Sequence, residues 1–252
     1  MNTLWGFIRR DLSIERKYRF NAALKTAAVL FQLAVFYFIS RFLSPDYFPY
    51  VFIGIVFSQF FQFWLGVFSE SIRQEQYMGT AELLFCGPRG PLSILLFNGA
   101  GRTVLFVIEL TLFVAAGICI FKVPLHWSWE IVGLMGVQTL LWAGLGLAAA
   151  SVIMCFKRGD PVSWLVTVMV DLASGVYFPV ALLPEPARAV AGILPTTVAL
   201  DAWRLALGAG AGVPAVMWWY QLGWTAVSLA GAVFLFRRLY DRVRRNGDLG
   251  SY

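Results

Sequence analysis

The sequence predicts an all-α integral membrane protein. It has six transmembrane helices, an N-terminal interfacial amphipathic helix, and an outer re-entrant helical hairpin before the last span. Three observations lead there. Six long apolar segments, 22–43, 49–69, 92–121, 129–156, 162–183 and 214–236, fill most of the 252-residue chain, and each reaches the roughly 20 residues a helix needs to cross a bilayer. Hydrophobic residues make up 59% of the chain and charged residues 13%, where a soluble domain carries about 25% charged residues. The basic residues flank the spans instead of forming one stripe, which argues against nucleic acid as the partner of a chain with net charge +6. One membrane domain, 1–252, is expected, and any large soluble machinery must come from another chain.

Segment 3–19 comes first. Leu4, Ile8 and Leu12 recur at four-residue spacing beside Trp5, with Arg9, Arg10, Glu15, Arg16 and Lys17 supplying charge, the pattern of a helix lying flat at the membrane interface. These residues are too charged for a cleavable signal peptide. With both termini cytoplasmic, sixteen of the twenty basic residues lie inside and only Arg41, Lys122, Arg188 and Arg204 outside, the bias that sets orientation.

The connection 70–91 reads ESIRQEQYMGTAELLFCGPRGP. Gly79 breaks the run, Thr80 is an N-cap, Glu82 favours a helix start, and Gly87-Pro88 stops it. The result is a short helix, 81–86, with Leu83, Leu84 and Phe85 at the cytoplasmic surface. Two readings stand: these apolar residues meet a partner surface, or they tuck against the chain's own span ends.

Within the spans, Glu109 and Asp171 fall near the middle of segments three and five, where a lone carboxylate costs about 2.5–3.5 kcal/mol. They should face protein or water. Thr167 and Ser174, one turn either side of Asp171, could satisfy it locally. Either both carboxylates pack, or one or both line a substrate path. The outer connection 181–213 is interrupted by Pro184 and Pro186 and divided by Pro195. Segments 188–194 and 197–207 read as short helices dipping into the outer leaflet. Asp201 and Arg204 are three apart and can pair. The tail 237–252 is basic, a topology anchor and lipid-headgroup contact.

Catalytic motifs are missing from the sequence. None of the four lysines follows a glycine, so there is no phosphate-binding GxxxxGK[ST] loop, and there is no HExxH or GxSxG. His126, the sole histidine, and three scattered cysteines suggest no metal site or disulfide framework. No cofactor is expected in this chain.

Three motifs in order carry a resemblance. GTAELLFCGP at 79–88, SGVYFPVALLP at 174–184 and LPTTVALDAWR at 194–204 are similar to segments of the type-2 permease family, the membrane subunits of ATP-binding-cassette exporters. The resemblance runs the full length. It implies that Thr80, Glu82, Leu83, Leu84 and Phe85 form a coupling helix docking on a separate ATPase subunit that binds ATP and magnesium. It also implies a second permease chain, in a homo- or heterodimer, with 194–207 and the first and fifth spans as candidate contacts. A bacterial or archaeal cytoplasmic membrane is the expected location. The substrate class that suits the aromatic spans is lipid-like, amphipathic or glycan. The alternatives are a proton-coupled transporter using Glu109 and Asp171, or a non-transporting scaffold.

Overall fold

A computed structural model of the chain describes residues 19–44, 47–77, 91–156 and 160–246, together with positions 5–6, 9–10, 13 and 79. About 87% is helical, and no strand occurs among the described residues. In chain order the helices are α1 (Arg19–Leu43), α2 (Tyr47–Tyr77), α3 (Pro91–Cys119), α4 (Trp129–Phe156), α5 (Asp160–Ala173), α6 (Glu185–Ile193), α7 (Pro195–Trp203) and α8 (Ala215–Asn246). A wider turn of helix, Arg204–Ala209, continues α7.

Among the described residues, four helices, α2, α3, α4 and α8, are long and apolar enough to cross a membrane. A fifth crossing is reached if α6 and the α7 segment, bent by 78° at Leu194, count as one broken span. Two expected spans fall short of that measure. Among the described residues, the apolar part of α1 runs Leu30–Ser40. The fifth segment was expected to run to 183, but α5 stops at Ala173 after 14 residues.

The stop has a local cause. The Val176 N–H donates to the Asp171 carbonyl at 3.1 Å and the Gly175 N–H to the Leu172 carbonyl at 3.3 Å. Gly175 holds φ +77° between them. That is the paired 6→1 and 5→2 helix terminator, which needs a residue in the left-handed region and so favours glycine. Pro179, with no N–H, cannot continue α5, and a short 3-10 turn, Val180–Leu182, follows it. Elsewhere helices outrun expectation. The second helix continues past residue 69 to Tyr77, its charged last turns supported by an Arg73–Glu70 ion pair of 2.5 Å. The basic segment after 236 stays helical to Asn246.

α2 is the axis of the bundle, packing against α1, α3, α4 and α7, while α4 also runs along α8. The larger core surrounds Phe52, Phe57, Phe60, Trp142 and Trp203. A smaller one, with Ile72, Leu95, Met154 and Phe236, lies toward the other end of α2. Arg10 bonds Glu75 and Asn98 at that second end, so the N-terminal segment and the last part of α8 share one end of the bundle. This is the Glu75 end of the bundle, and the opposite end is the Trp127 end.

Candidate functional site

A polar seam runs through the larger core where α2 meets the α5 terminus and α7. Ser58 donates to the Asp171 carboxylate, 2.8 Å from each oxygen, and Gln62 Nε2 adds a bond of 3.3 Å. Asp171 is buried and meets neutral donors only in these bonds. Its expected hydroxyl neighbours do not serve it. The Ser174 hydroxyl donates instead to Thr196 Oγ1 at 2.5 Å, joining the α5 turn to α7. The reason is rotational: the Asp171 side chain turns toward α2, and Ser174 lies beyond the last helical residue.

The second node is Arg204. Its guanidinium donates to the Gly175 carbonyl at 2.7 Å and lies 3.6 Å from the centroid of the Tyr50 ring. Tyr50 Oη donates to the same carbonyl at 3.2 Å. Arg204 also pairs with Asp201 across 3.7 Å, although Asp201 is half exposed and that pair is weak. One cation therefore ties α2, the α5 terminator and the end of α7. Charge-assisted hydrogen bonds and desolvated cation–π contacts each contribute about 2 kcal/mol. Arg204→Ala is accordingly expected to lower the thermal midpoint in detergent by several degrees. Arg204→Lys should recover only part, because an ammonium cannot both fork to a carbonyl and stack flat on a ring. Scanning fluorimetry of the purified variants reads both effects.

The Glu75 end carries another polar cluster. Arg10 reaches Glu75 Oε1 at 3.1 Å and Asn98 Oδ1 at 2.6 Å, Asn98 donates to Glu75 at 3.4 Å, and Arg102 donates to Gln74. These contacts join the N-terminal segment to α2 and α3 on both sides of the connection 78–90. Thr80, Glu82, Leu83, Leu84 and Phe85 in that connection lie outside the described residues, as does most of the expected interfacial helix 3–19. Gly79, just past α2, holds φ +68°.

Glu109 and Asp171 are not equivalent. Asp171 is enclosed, whereas Glu109 is exposed on an apolar face of α3 beside Val107, Ile108 and Leu112, and makes no hydrogen bond or ion pair with the described residues. Asp171 faces protein of this chain, whereas Glu109 does not. α7 is largely enclosed within this chain. Most of its residues, including Leu200 and Trp203, are buried against the chain's own helices. Phe31, Phe38 and Phe42 of α1 stand open.

Sequence reading passed over Ser58, Gln62 and Tyr50 on α2, and over Gln138, which accepts from Trp203 Nε1 at 2.8 Å, and Gln221, which donates to the Pro195 carbonyl at 3.0 Å. The available signal was their type: amide and hydroxyl side chains inside long apolar runs are placed to bond between helices. No protein-family model matches the chain, and no curated protein matches it.

Proposed function

We propose that this chain is the membrane subunit of an ATP-driven exporter of the ATP-binding-cassette type-2 permease class. It moves a lipid-like, amphipathic or glycan substrate out of the cytoplasm or inner leaflet. ATP and magnesium are handled by a separate ATPase, and a second permease chain completes the path. In this reading α1 and α5 complete a set of six spans, both termini are cytoplasmic, and the bent α6–α7 pair is the outer re-entrant segment.

One observation carries the reading: the connection 78–90, with its GTAELLFCGP motif, joins two long apolar helices whose ends are cross-tied. Arg10, Glu75, Asn98, Gln74 and Arg102 link the two arms, so a pull on the connection is passed to α2 and α3 together. Leu83, Leu84 and Phe85 supply the apolar face that a cleft in an ATPase would take. The exposed Glu109 gives a second reason to expect a partner, since a covering chain or a polar substrate group would remove a mid-helix carboxylate from hydrocarbon. Asp171, already bonded to α2, takes the packing role.

The test is purification of the tagged chain from its native membranes with ATP hydrolysis measured on the product. An ABC ATPase should co-purify with the unaltered chain. Glu82→Arg reverses charge at the contact, and Leu83→Asp puts an unpaired charge into an apolar cleft, a loss of about 3–5 kcal/mol. Both variants should lose most of the associated hydrolysis while staying membrane-inserted. Full co-purification and full hydrolysis in both would overturn the reading.

A further inference from the structure

A cavity of about 520 Å³ opens between α2, α3 and α4 at the Trp127 end. Its size is that of a small-molecule site. Val56, Leu110 and Met135 form its deep part, and Trp203 and Leu207 close it on the α7 side. The single hydroxyl in its wall, on Thr111, is already donated to the Val107 carbonyl at 2.7 Å. An ion or sugar entering here would lose its hydration with nothing returned.

Polarity is confined to one rim. His126 and Trp127 stand there, with Trp129 beside them, and the two indoles are 73% and 81% exposed. Paired, projecting tryptophans mark the level where hydrocarbon meets headgroups. From Ile118 near the rim to Leu110, the cavity follows α3 for eight residues, about 12 Å of helix. Its side opens past Thr111, Ala115 and Ile118, on the uncovered face of a helix long and apolar enough to cross a membrane. The cavity is thus polar at one end, apolar along its length, and open laterally toward hydrocarbon.

Its walls are held in place. Phe52, in the lining, stacks on Phe113 with ring centroids 5.5 Å apart, and any Cβ at Gly117 would overlap the Phe52 ring. The His126 N–H donates to the Leu207 carbonyl at 2.8 Å, and the imidazole lies over Gly210, where φ is +61° and a Cβ would meet the ring at 3.2 Å.

We propose that this cavity binds one alkyl chain of a membrane phospholipid, with the headgroup at the His126–Trp127 rim. The site stands whether or not the chain is an exporter. A headgroup at the rim can accept from the Trp127 indole and the imidazole, while the chain replaces contacts that an empty cavity would forfeit.

The test uses the purified full chain in phosphatidylcholine vesicles. One arm carries a trace of phosphatidylcholine with a diazirine in its acyl chain, the other a diazirine fatty acid. After illumination, the labelled positions are mapped by mass spectrometry. Phosphatidylcholine label should concentrate on 110–118 and 131–135 over the more open α8 positions Val216 and Val227. Ala115→Trp fills the cavity from an exposed position and should cut that labelling about tenfold, a factor corresponding to about 1.4 kcal/mol, with α8 labelling unchanged. Ile118→Trp, at the open side, is the second variant if the first fails to fold. Even labelling along exposed α3 and α8, labelling by the fatty acid alone, or labelling unaltered in a folded filled variant would overturn the proposal.

Discussion

Gly146→Ala is expected to cost most of the folded protein, although it adds one methyl group. Gly146 lies where α4 crosses α2. An ideal Cβ there would overlap the Trp64 carbonyl oxygen and sit 3.0 Å from the Leu65 carbonyl oxygen. Both obstacles are backbone, so no rotamer change relieves the contact. The helices must separate, and the packing around Trp142 and Phe61, whose rings meet at 5.0 Å, opens with them. Overpacking of this kind costs about 1–3 kcal/mol, occasionally more. Close approach through small residues is also a main source of helix association in a membrane. Gly136 is the control on the same helix, because a Cβ there meets nothing within 4 Å. Gly136→Ala should be neutral or gain up to about 1 kcal/mol from helix propensity. Detergent thermal midpoints and the monodisperse yield of the two variants measure the contrast. Equal yields would contradict the α2–α4 contact.

Trp203→Ala has the second large effect. Trp203 is 1% exposed and lies edge-on to Phe57 and tilted against Phe60, each with ring centroids 5.5 Å apart. Its indole N–H donates to Gln138 Oε1, a residue whose Nε2 is buried without a partner. Truncation leaves a cavity costing about 3–5 kcal/mol and takes away the bond held by the Gln138 amide oxygen, adding about 1–3 kcal/mol. The effect should reach beyond the site, since Trp203 holds the end of α7 against α2 and α4. Limited proteolysis should open the 180–214 region in Trp203→Ala before any other part of the chain. Trp203→Phe keeps ring packing and loses the hydrogen bond, so its loss should fall between the two. A phenylalanine variant as damaged as the alanine one would mean that the bond to Gln138, not packing, holds α7.

Much of the architecture is legible along the chain because it depends on near neighbours. Pro184, Pro186 and Pro195 mark the α6–α7 break, since proline begins a helix but cannot sit inside one. The three-residue spacing of Asp201 and Arg204 brings them together on one helical face. The Ser174-Gly175 turn was legible as well, as glycine followed by Pro179 is a helix-stop signal. The high overall hydrophobicity of 162–183 masked it, and apolar length alone misjudged α5.

What the sequence by itself determined is the four long apolar helices α2, α3, α4 and α8 and the bend before the last of them, because length, hydropathy and proline act locally. Only the tertiary structure decided which polar groups meet across helices. Ser58 and Asp171 are 113 residues apart, and Trp203 and Gln138 are 65 apart. Helices apolar all round carry no stripe to say which face turns inward. The choice falls to helix rotation and close packing, through which the buried Asp171 takes its partners from α2 while Glu109 stays on the open face of α3.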